Sequence, residues 1–479
     1  MATITFGTSG HRGIMEDTFT HEHVKAIAYG VAQTLKKDHK NPACVIGSDP
    51  RQGNDPKLSE LSFTKTLIDE LNKYGIHTIS YDDFVPTPLI SWAITEHHYS
   101  GGLILTASHN PPDYNGIKFN PENGAPAPKS ITESIEKYAN SYTEKTPISE
   151  TQGLHQTKKA PFKAFSKALV DSMQKMGIPL PSSFSKSLLI DVKHGSSAEI
   201  WKECAKLLDL NITLVHEEPL PNFGNINPNP TKYKELIACS KEHYFTCAND
   251  PDADRHAVLA ENNHIISPEE ITTIIIDYLI SKNMPPSGVS STLASSHLIK
   301  NSCAFNSIPY FETEVGFKYF APYLEKAKEN NTCLLAVESS GGFSTSFHTF
   351  EKCGFLPIIC LLGILESTQK SITELKNISL KKYGVLHFKE DEFNFTPQKK
   401  ESFKHFFTSE NLNSLQHYFP TKIDTLNQKD GLKLEFTSGS WVLCRMSGTE
   451  PLIRIYAESS SQNESLSLIQ HTKEVLNTL

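Results

Sequence analysis

The stretch GGLILTASHNPPDYNGIK, residues 101–118, passes from an apolar run into a loop rich in Asn, Pro and Gly. A short apolar run bounded by turn residues predicts a strand over residues 102–106. Ser108, just past its end, sits in turn-forming sequence and is expected to be presented rather than buried. His109 is its neighbour, and Lys118 follows on the same loop. A hydroxyl with a histidine and a lysine nearby suits a phosphoryl carrier. Ser-His-Asn-Pro is also good turn chemistry with no catalysis required, and this stretch alone leaves both readings open.

Working outward, the same strand-and-helix rhythm recurs. Toward the N-terminus, residues 43–47 and 77–81 read as strands, with helical spacing of apolar residues over 55–74. Toward the C-terminus, 187–192, 211–216, 244–248 and 332–337 read as strands, and 199–208 and 269–280 as helices. This alternation predicts successive α/β units with parallel or mixed sheets. Polar stretches at 141–159 and 379–392 read as linkers. After the second, strands at 439–446 and 452–458 and an amphipathic helix at 463–476 predict a smaller α+β unit. The expected domains are 1–145, 150–262, 263–380 and 385–479.

A chain of 479 residues fits this count at about 100–200 residues per domain. Its net charge is -8 and it has no basic run, which argues against nucleic acid as a partner. The most apolar stretches, 271–280 and 355–365, are too short to span a bilayer and read as buried helices. The opening MATITFGTSGHRG lacks the charged start and apolar core of a secretory leader. Nine scattered cysteines without a C-x-x-C pair suggest reduced thiols and a cytoplasmic location.

Four further segments carry candidate chemistry. NDPDADR, residues 249–255, places Asp250, Asp252 and Asp254 at alternate positions after a strand. In an extended loop that spacing turns three carboxylates to one point, and an all-oxygen set suits Mg²⁺. A calcium EF-hand would use these three and Glu261, but its turn glycine is replaced by Arg255 and strands flank the loop. An acidic surface turn is the weaker alternative. CRMSGTEPLIR, residues 444–454, offers Ser447, Gly448 and Thr449 between Arg445 and Arg454, the donors a phosphate monoester needs. VESSGGF, residues 337–343, brings Glu338 and Ser340 to a strand exit, where they could bond sugar hydroxyls or simply form a turn. GTSGHRG, residues 7–13, lacks the lysine and spacing of a nucleotide P-loop; Arg12 near a phosphate is one reading and a flexible turn the other.

Taken in order, GTSGHRG, TASHNPPDYNGIK, DPDADR, ESSGG and RMSGTEPLIR resemble the α-D-phosphohexomutase superfamily across nearly the whole chain. The resemblance implies four domains around a central cleft, three related α/β domains and a smaller C-terminal α+β domain. It implies a phosphoserine at Ser108, and Mg²⁺ held by Asp250, Asp252, Asp254 and a seryl-phosphate oxygen. Arg12, His109 and Lys118 would surround the reacting phosphate. Arg255, Lys318, Glu338 and Ser340 would meet the substrate, and Arg445, Ser447, Gly448, Thr449 and Arg454 the phosphate that is not reacting. Glucose 1,6-bisphosphate is the implied activator and intermediate. The implied partner is a hexose phosphate, with no nucleic acid or membrane, and the protein is expected as a monomer or homodimer.

TEVGFKYF, residues 313–320, resembles the phosphoglucomutase form of the segment that selects the sugar. Phosphoglucosamine mutases usually carry Asp-Arg where Phe317 and Lys318 stand, so glucose phosphate is expected. Mannose, pentose or amino-sugar phosphates, or a non-catalytic binding relative, remain the alternatives. Three positions depart from the common pattern: Val337 for Gly, Gly342 for a histidine proposed as an acid-base group, and Cys353 for Asp. His348 is either the substitute for that histidine or an ordinary surface residue.

Overall fold

The computed structural model describes residues 3–7, 10–181, 186–232, 237, 240, 243–261, 263–409, 412–446 and 452–479. These form four sheets. The first contains β1 (His11–Ile14), β2 (Ala43–Ser48), β3 (His77–Tyr81), β4 (Gly101–Leu105), β5 (Tyr114–Pro121) and β6 (His155–Lys158), ordered β1-β5-β4-β2-β3-β6. The second contains β7 (Leu188–Asp191), β8 (Ile212–Val215), β9 (Phe245–Asn249), β10 (His256–Leu259) and β11 (Ile265–Ile266), ordered β11-β10-β9-β7-β8. The third contains β12 (Gly288–Thr292), β13 (Tyr310–Thr313), β14 (Leu334–Val337) and β15 (Phe343–Thr345), ordered β13-β12-β14-β15. The fourth contains β16 (His387–Asn394), β17 (Ile423–Asn427), β18 (Leu432–Phe436), β19 (Trp441–Met446) and β20 (Leu452–Ser459), ordered β16-β20-β19-β18-β17 and antiparallel throughout.

One motif repeats three times. β3-β2-β4, β8-β7-β9 and β13-β12-β14 are parallel triplets. In each, the last strand returns antiparallel, as β4 to β5, β9 to β10 and β14 to β15. The three returns are the serine loop, the aspartate loop and the ESSGG loop. Ligand sites in α/β sheets favour the carboxyl ends of parallel strands, and all three loops lie there.

The first three domains share one apolar core. It runs from Val45 and Ile104 through Trp201 and Phe245 to Ile275, Leu335 and Phe355. The fourth domain has its own, around Phe403, Leu434, Ile453 and Leu468. Among the described residues an apolar cluster joins them, Leu293 and Ala294 against Trp441, Leu443 and Tyr456, together with polar bonds such as His297 N to Glu458 and Lys433 to Glu312. The two most apolar stretches are indeed buried helices, Pro268–Ser281 and Leu356–Thr368. Among the described residues no helix is long and apolar enough to cross a membrane.

Some boundaries differ from expectation. The helix expected from residue 55 begins at Phe63, with the Ser62 side chain capping Lys65 N. Before it, the Asp55 carboxylate accepts from Lys57 N and Ser59 N. Such local bonds compete with helix formation. The polar stretch 141–159 ends in a strand, β6, paired in parallel with β3. The stretch 379–392 divides between the helix Ile372–Tyr383 and β16.

Candidate active site

The serine loop leaves β4 and turns sharply. Ser108 takes φ +52°, in the left-handed region that costs a non-glycine residue about 1 kcal/mol or more. Two neighbours hold it there. Thr106 Oγ1 accepts from Ser108 N at 2.8 Å and donates to Asp49 Oδ2 at 2.6 Å. Arg51, fully buried, donates to the carbonyls of Ser108, Asn110, Pro111 and Tyr114 and, through Nε, to Asp49. Ser108 itself is fully buried, contrary to expectation, because the second domain closes over it. Its Oγ donates to Asp250 Oδ2 at 2.8 Å. His109 Nδ1 lies 3.4 Å from the same Oγ. Desolvation first, then the Arg255 and Arg12 charges, pushes the His109 pKa well below its usual value. Arg12 donates to Asn110 Oδ1 at 2.7 Å, and burial lowers its pKa to about 10.

The aspartate loop supplies the opposing wall. Asp250, Asp252 and Asp254 are buried, and each offers an oxygen within 4.8 Å of the other two. Burial and the two neighbouring carboxylates push the Asp250 pKa well up. Lys118 Nζ, from β5, stands 2.6 Å from both Asp252 Oδ2 and Asp254 Oδ2. Thr87 Oγ1 also donates to Asp252 Oδ2, at 2.6 Å. Asp252 Oδ1 and Asp254 Oδ1 are buried with no hydrogen-bond partner among the described residues. Unsatisfied, converging carboxylate oxygens fit a hard divalent cation such as Mg²⁺. The EF-hand alternative is excluded: β9 and β10 flank the loop, and Glu261 instead accepts from Ile372 N and Thr373 Oγ1.

The third loop joins this cluster. Arg255 and Gly342 form an isolated antiparallel bridge, and His256 N donates to Gly341 O. Arg255 Nε is 3.6 Å from Asp254 Oδ1. Glu338 is buried, with Ser340 Oγ 3.4 Å from its Oε2. Lys352 was not anticipated from sequence. A Cβ at Gly342 would meet its Cδ at 2.4 Å, so this lysine fills the space that a side chain at 342 would take. Its Nζ lies 3.4 Å from both Asp254 Oδ2 and Glu351 Oε1. Those carboxylates outweigh its desolvation and raise its pKa, so it is protonated. His348 is neither a substitute nor a surface residue. It is buried beside Phe165 with Nδ1 3.1 Å from Ser172 Oγ, and burial lowers its pKa to about 3.

The fourth domain faces the same cleft. Arg445 and Arg454 are direct cross-strand partners on β19 and β20. Arg454 is among the charges acting on His109, and Arg255 among those acting on Glu390 of β16. Lys318, in the turn Phe317–Tyr319, is half-buried; desolvation, then Lys129 and Arg445, lowers its pKa. Ser447, Gly448 and Thr449 lie outside the described residues. The structure therefore gathers Ser108, His109, Lys118, Arg12, the three aspartates and Arg255 at one point. Glu338 and Ser340 stand beside them, and Lys318, Arg445 and Arg454 add further positive charge, with Arg454 near enough to act on His109.

Sequence reading missed Arg51, Thr87 and Lys352. A signal existed for the first: DPR follows buried β2 as TASHN follows β4. Lys352 stands out only as a charge between Phe350 and the apolar run after Gly354.

Comparison with known proteins gives consistent matches. Four models of phosphoglucomutase/phosphomannomutase domains match in order: alpha/beta/alpha domain I over residues 3–146, domain II over 167–263, domain III over 267–383 and the C-terminal domain over 401–472. A phosphoglucomutase of Komagataeibacter xylinus is 26% identical, covering 98% of this chain and 89% of its own. A phosphoglucomutase/phosphomannomutase of Thermococcus kodakarensis is 26% identical, covering 96% of this chain and 95% of its own. The crystal structure of a phosphoglucomutase/phosphomannomutase family protein from Burkholderia thailandensis superposes with a TM-score of 0.79 at 18% identity, covering 100% of this chain and 98% of that one, a likeness of fold.

Proposed function

Because this chain belongs to the phosphoglucomutase/phosphomannomutase family and is a phosphohexomutase, we propose that it interconverts glucose 1-phosphate and glucose 6-phosphate through a phosphorylated Ser108. The observation that carries this reading is the Ser108 hydroxyl, aimed at Asp250 across a domain boundary inside a ring of buried charges. Phosphoryl transfer asks for positioning and charge stabilisation more than for covalent help, and this site supplies both.

Asp250, Asp252 and Asp254 would hold Mg²⁺, which when bound would neutralise charge on the transferring phosphoryl group. Transfer to substrate breaks the Ser108 Oγ–P bond as a sugar hydroxyl oxygen bonds to phosphorus; the sugar hydroxyl gives up its proton and Ser108 Oγ regains one, so no net proton is taken up or lost. Lys118, Lys352, Arg12 and Arg255 offset the phosphoryl charge. In the reverse step the Ser108 hydroxyl must lose its proton; Asp250 Oδ2, to which Oγ donates at 2.8 Å, and His109 Nδ1, at 3.4 Å, are the groups beside it. Glu338 and Ser340 orient the sugar hydroxyls, and Arg445 and Arg454 grip the phosphate at the far end, with Ser447, Gly448 and Thr449 between them in sequence. Glucose 1,6-bisphosphate is then the intermediate. It turns over in the cleft and returns its other phosphate to Ser108. The contact between the third and fourth domains, a few apolar side chains and exchangeable polar bonds, suits a hinge that opens for this turn and closes against water. The sugar assignment rests on residues 313–320, where Phe317 and Lys318 stand.

The test is a coupled assay with Mg²⁺ and a trace of glucose 1,6-bisphosphate, supplying glucose 1-phosphate and mannose 1-phosphate separately. Turnover of glucose 1-phosphate, abolished in Ser108→Ala, is expected. Comparable mannose turnover would broaden the substrate to both sugars. A fully active Ser108→Ala protein would sink the mechanism.

A further inference from the structure

Asp430 lies in the turn between β17 and β18, beside the glycine that shapes it. Gly431 has φ +102°, and a Cβ there would stand 2.2 Å from Cys444 O. The turn is thus pressed against β19, and Gly431 cannot be replaced without moving it. One oxygen of Asp430 makes two bonds to two domains. Oδ2 accepts from Arg445 Nε at 2.8 Å, within the fourth domain. It also accepts from Val315 N at 2.8 Å, in the 313–320 segment of the third. Both side chains of the Asp430–Arg445 pair are about four-fifths buried, at 22% and 18% exposure. The same pair acts on Lys318 and Tyr319 of that segment.

We propose that Asp430 is a positioning residue that aims Arg445 at the distal phosphate and ties that aim to the sugar-selecting segment 313–320. The inference rests on the reading of Arg445 as a phosphate ligand. A guanidinium donates along a planar fork, and the edge it presents decides how it meets a phosphate. With Nε bonded to Asp430, Arg445 meets a phosphate through its terminal amino groups. Its cross-strand partner is Arg454, and Lys318 is close by, so without the carboxylate the like charges would drive it aside. The Val315 bond exists only while the fourth domain rests on the third. Closure therefore sets the phosphate grip and the sugar segment together.

The sign of the effect separates positioning from simple neutralisation. If Asp430 merely cancelled positive charge, removing it would strengthen phosphate binding. If it positions Arg445, removing it weakens binding. Asp430→Ala is expected to bind glucose 1-phosphate about tenfold more weakly by calorimetry, to raise KM by about the same factor, and to change kcat far less. Asp430→Asn, which keeps an acceptor, should fall between. Hydrogen exchange at the Val315 amide should accelerate in Asp430→Ala. In an Arg445→Ala background, Asp430→Ala should weaken binding less than it does in the wild type, because only the Val315 bond is left to lose. Unchanged or tighter binding, or additive effects with Arg445→Ala, would overturn the proposal. A wild-type protein that turns over no hexose phosphate would refute the Ser108 mechanism instead, while the binding and exchange comparisons would still decide on Asp430.

Discussion

Arg51→Met tests whether the serine loop is held from behind. Methionine keeps much of the length that packs over the Phe223 ring, where the guanidinium carbon now lies 4.8 Å from the centroid. It removes the Nε bond to Asp49 and the donors to four loop carbonyls. Asp49 is then a buried carboxylate without its cation. Breaking a buried pair in this way costs about 3–5 kcal/mol. Summing each charged hydrogen bond at about 1.5–3 kcal/mol would give far more, but bonds from one guanidinium are not additive. A fall in Tm of about 5 °C is expected by differential scanning calorimetry. Ser108 would also lose the brace that holds its left-handed backbone, and a misplacement of about 1 Å at a reacting atom costs on the order of 10²-fold in rate. Two controls sharpen the reasoning. Burial has already pushed the Asp49 pKa up to about 6, and Arg51 is the charge that most opposes that shift. Removing Arg51 raises it further, so Asp49 binds its proton more readily in the folded variant than in the unfolded chain. The stability lost in Arg51→Met should therefore shrink as pH falls toward 6. Adding Asp49→Asn should recover part of the Tm, because no charge is then left stranded. Wild-type Tm and kcat in Arg51→Met, or a double variant worse than the single, would refute the brace.

The aspartate cluster should make stability depend on metal. At a Mg²⁺ concentration about a hundredfold above its Kd, the wild type should gain about 2.7 kcal/mol, and Asp254→Asn should lose most of that gain; equal shifts by calorimetry would contradict the assignment. Glu269 should make stability fall as pH rises. Burial lifts its pKa from 4.5 to about 7, so the folded chain holds a proton that the unfolded chain releases across that interval. The loss approaches about 3 kcal/mol above pH 7. Glu269→Gln should thus raise Tm more at pH 8 than at pH 5, and parallel Tm profiles would show that Glu269 is not the cause.

What the sequence disclosed follows from how local each signal is. The strands before the serine and aspartate loops are short apolar runs that end in turn residues, and β4 and β9 lie within a residue of where that pattern puts them. Three aspartates at alternate positions predict convergence on an extended loop; they converge instead on a turn, closed by Ala253 N donating to Asp250 O, with Ala253 at φ +51°. Burial of Ser108 was not legible, because what covers it comes from 142 residues away. Lys352 was hidden for a related reason. Its place is defined by what Gly342 lacks, and nothing within the EKCG stretch says that a glycine ten residues earlier leaves room for a lysine. The same holds for His348, whose neighbours Phe165 and Ser172 belong to another domain. Residues that bring charge to the end of their own strand announce themselves. Residues whose function depends on space left by another segment do not. Asp430 belongs to both kinds: its bond to Arg445 crosses a turn within one domain, while its bond to Val315 reaches back 115 residues to the segment proposed to select the sugar. Its contribution to binding should accordingly depend on closure of the fourth domain, which is why the Val315 amide, rather than Arg445 alone, reports it.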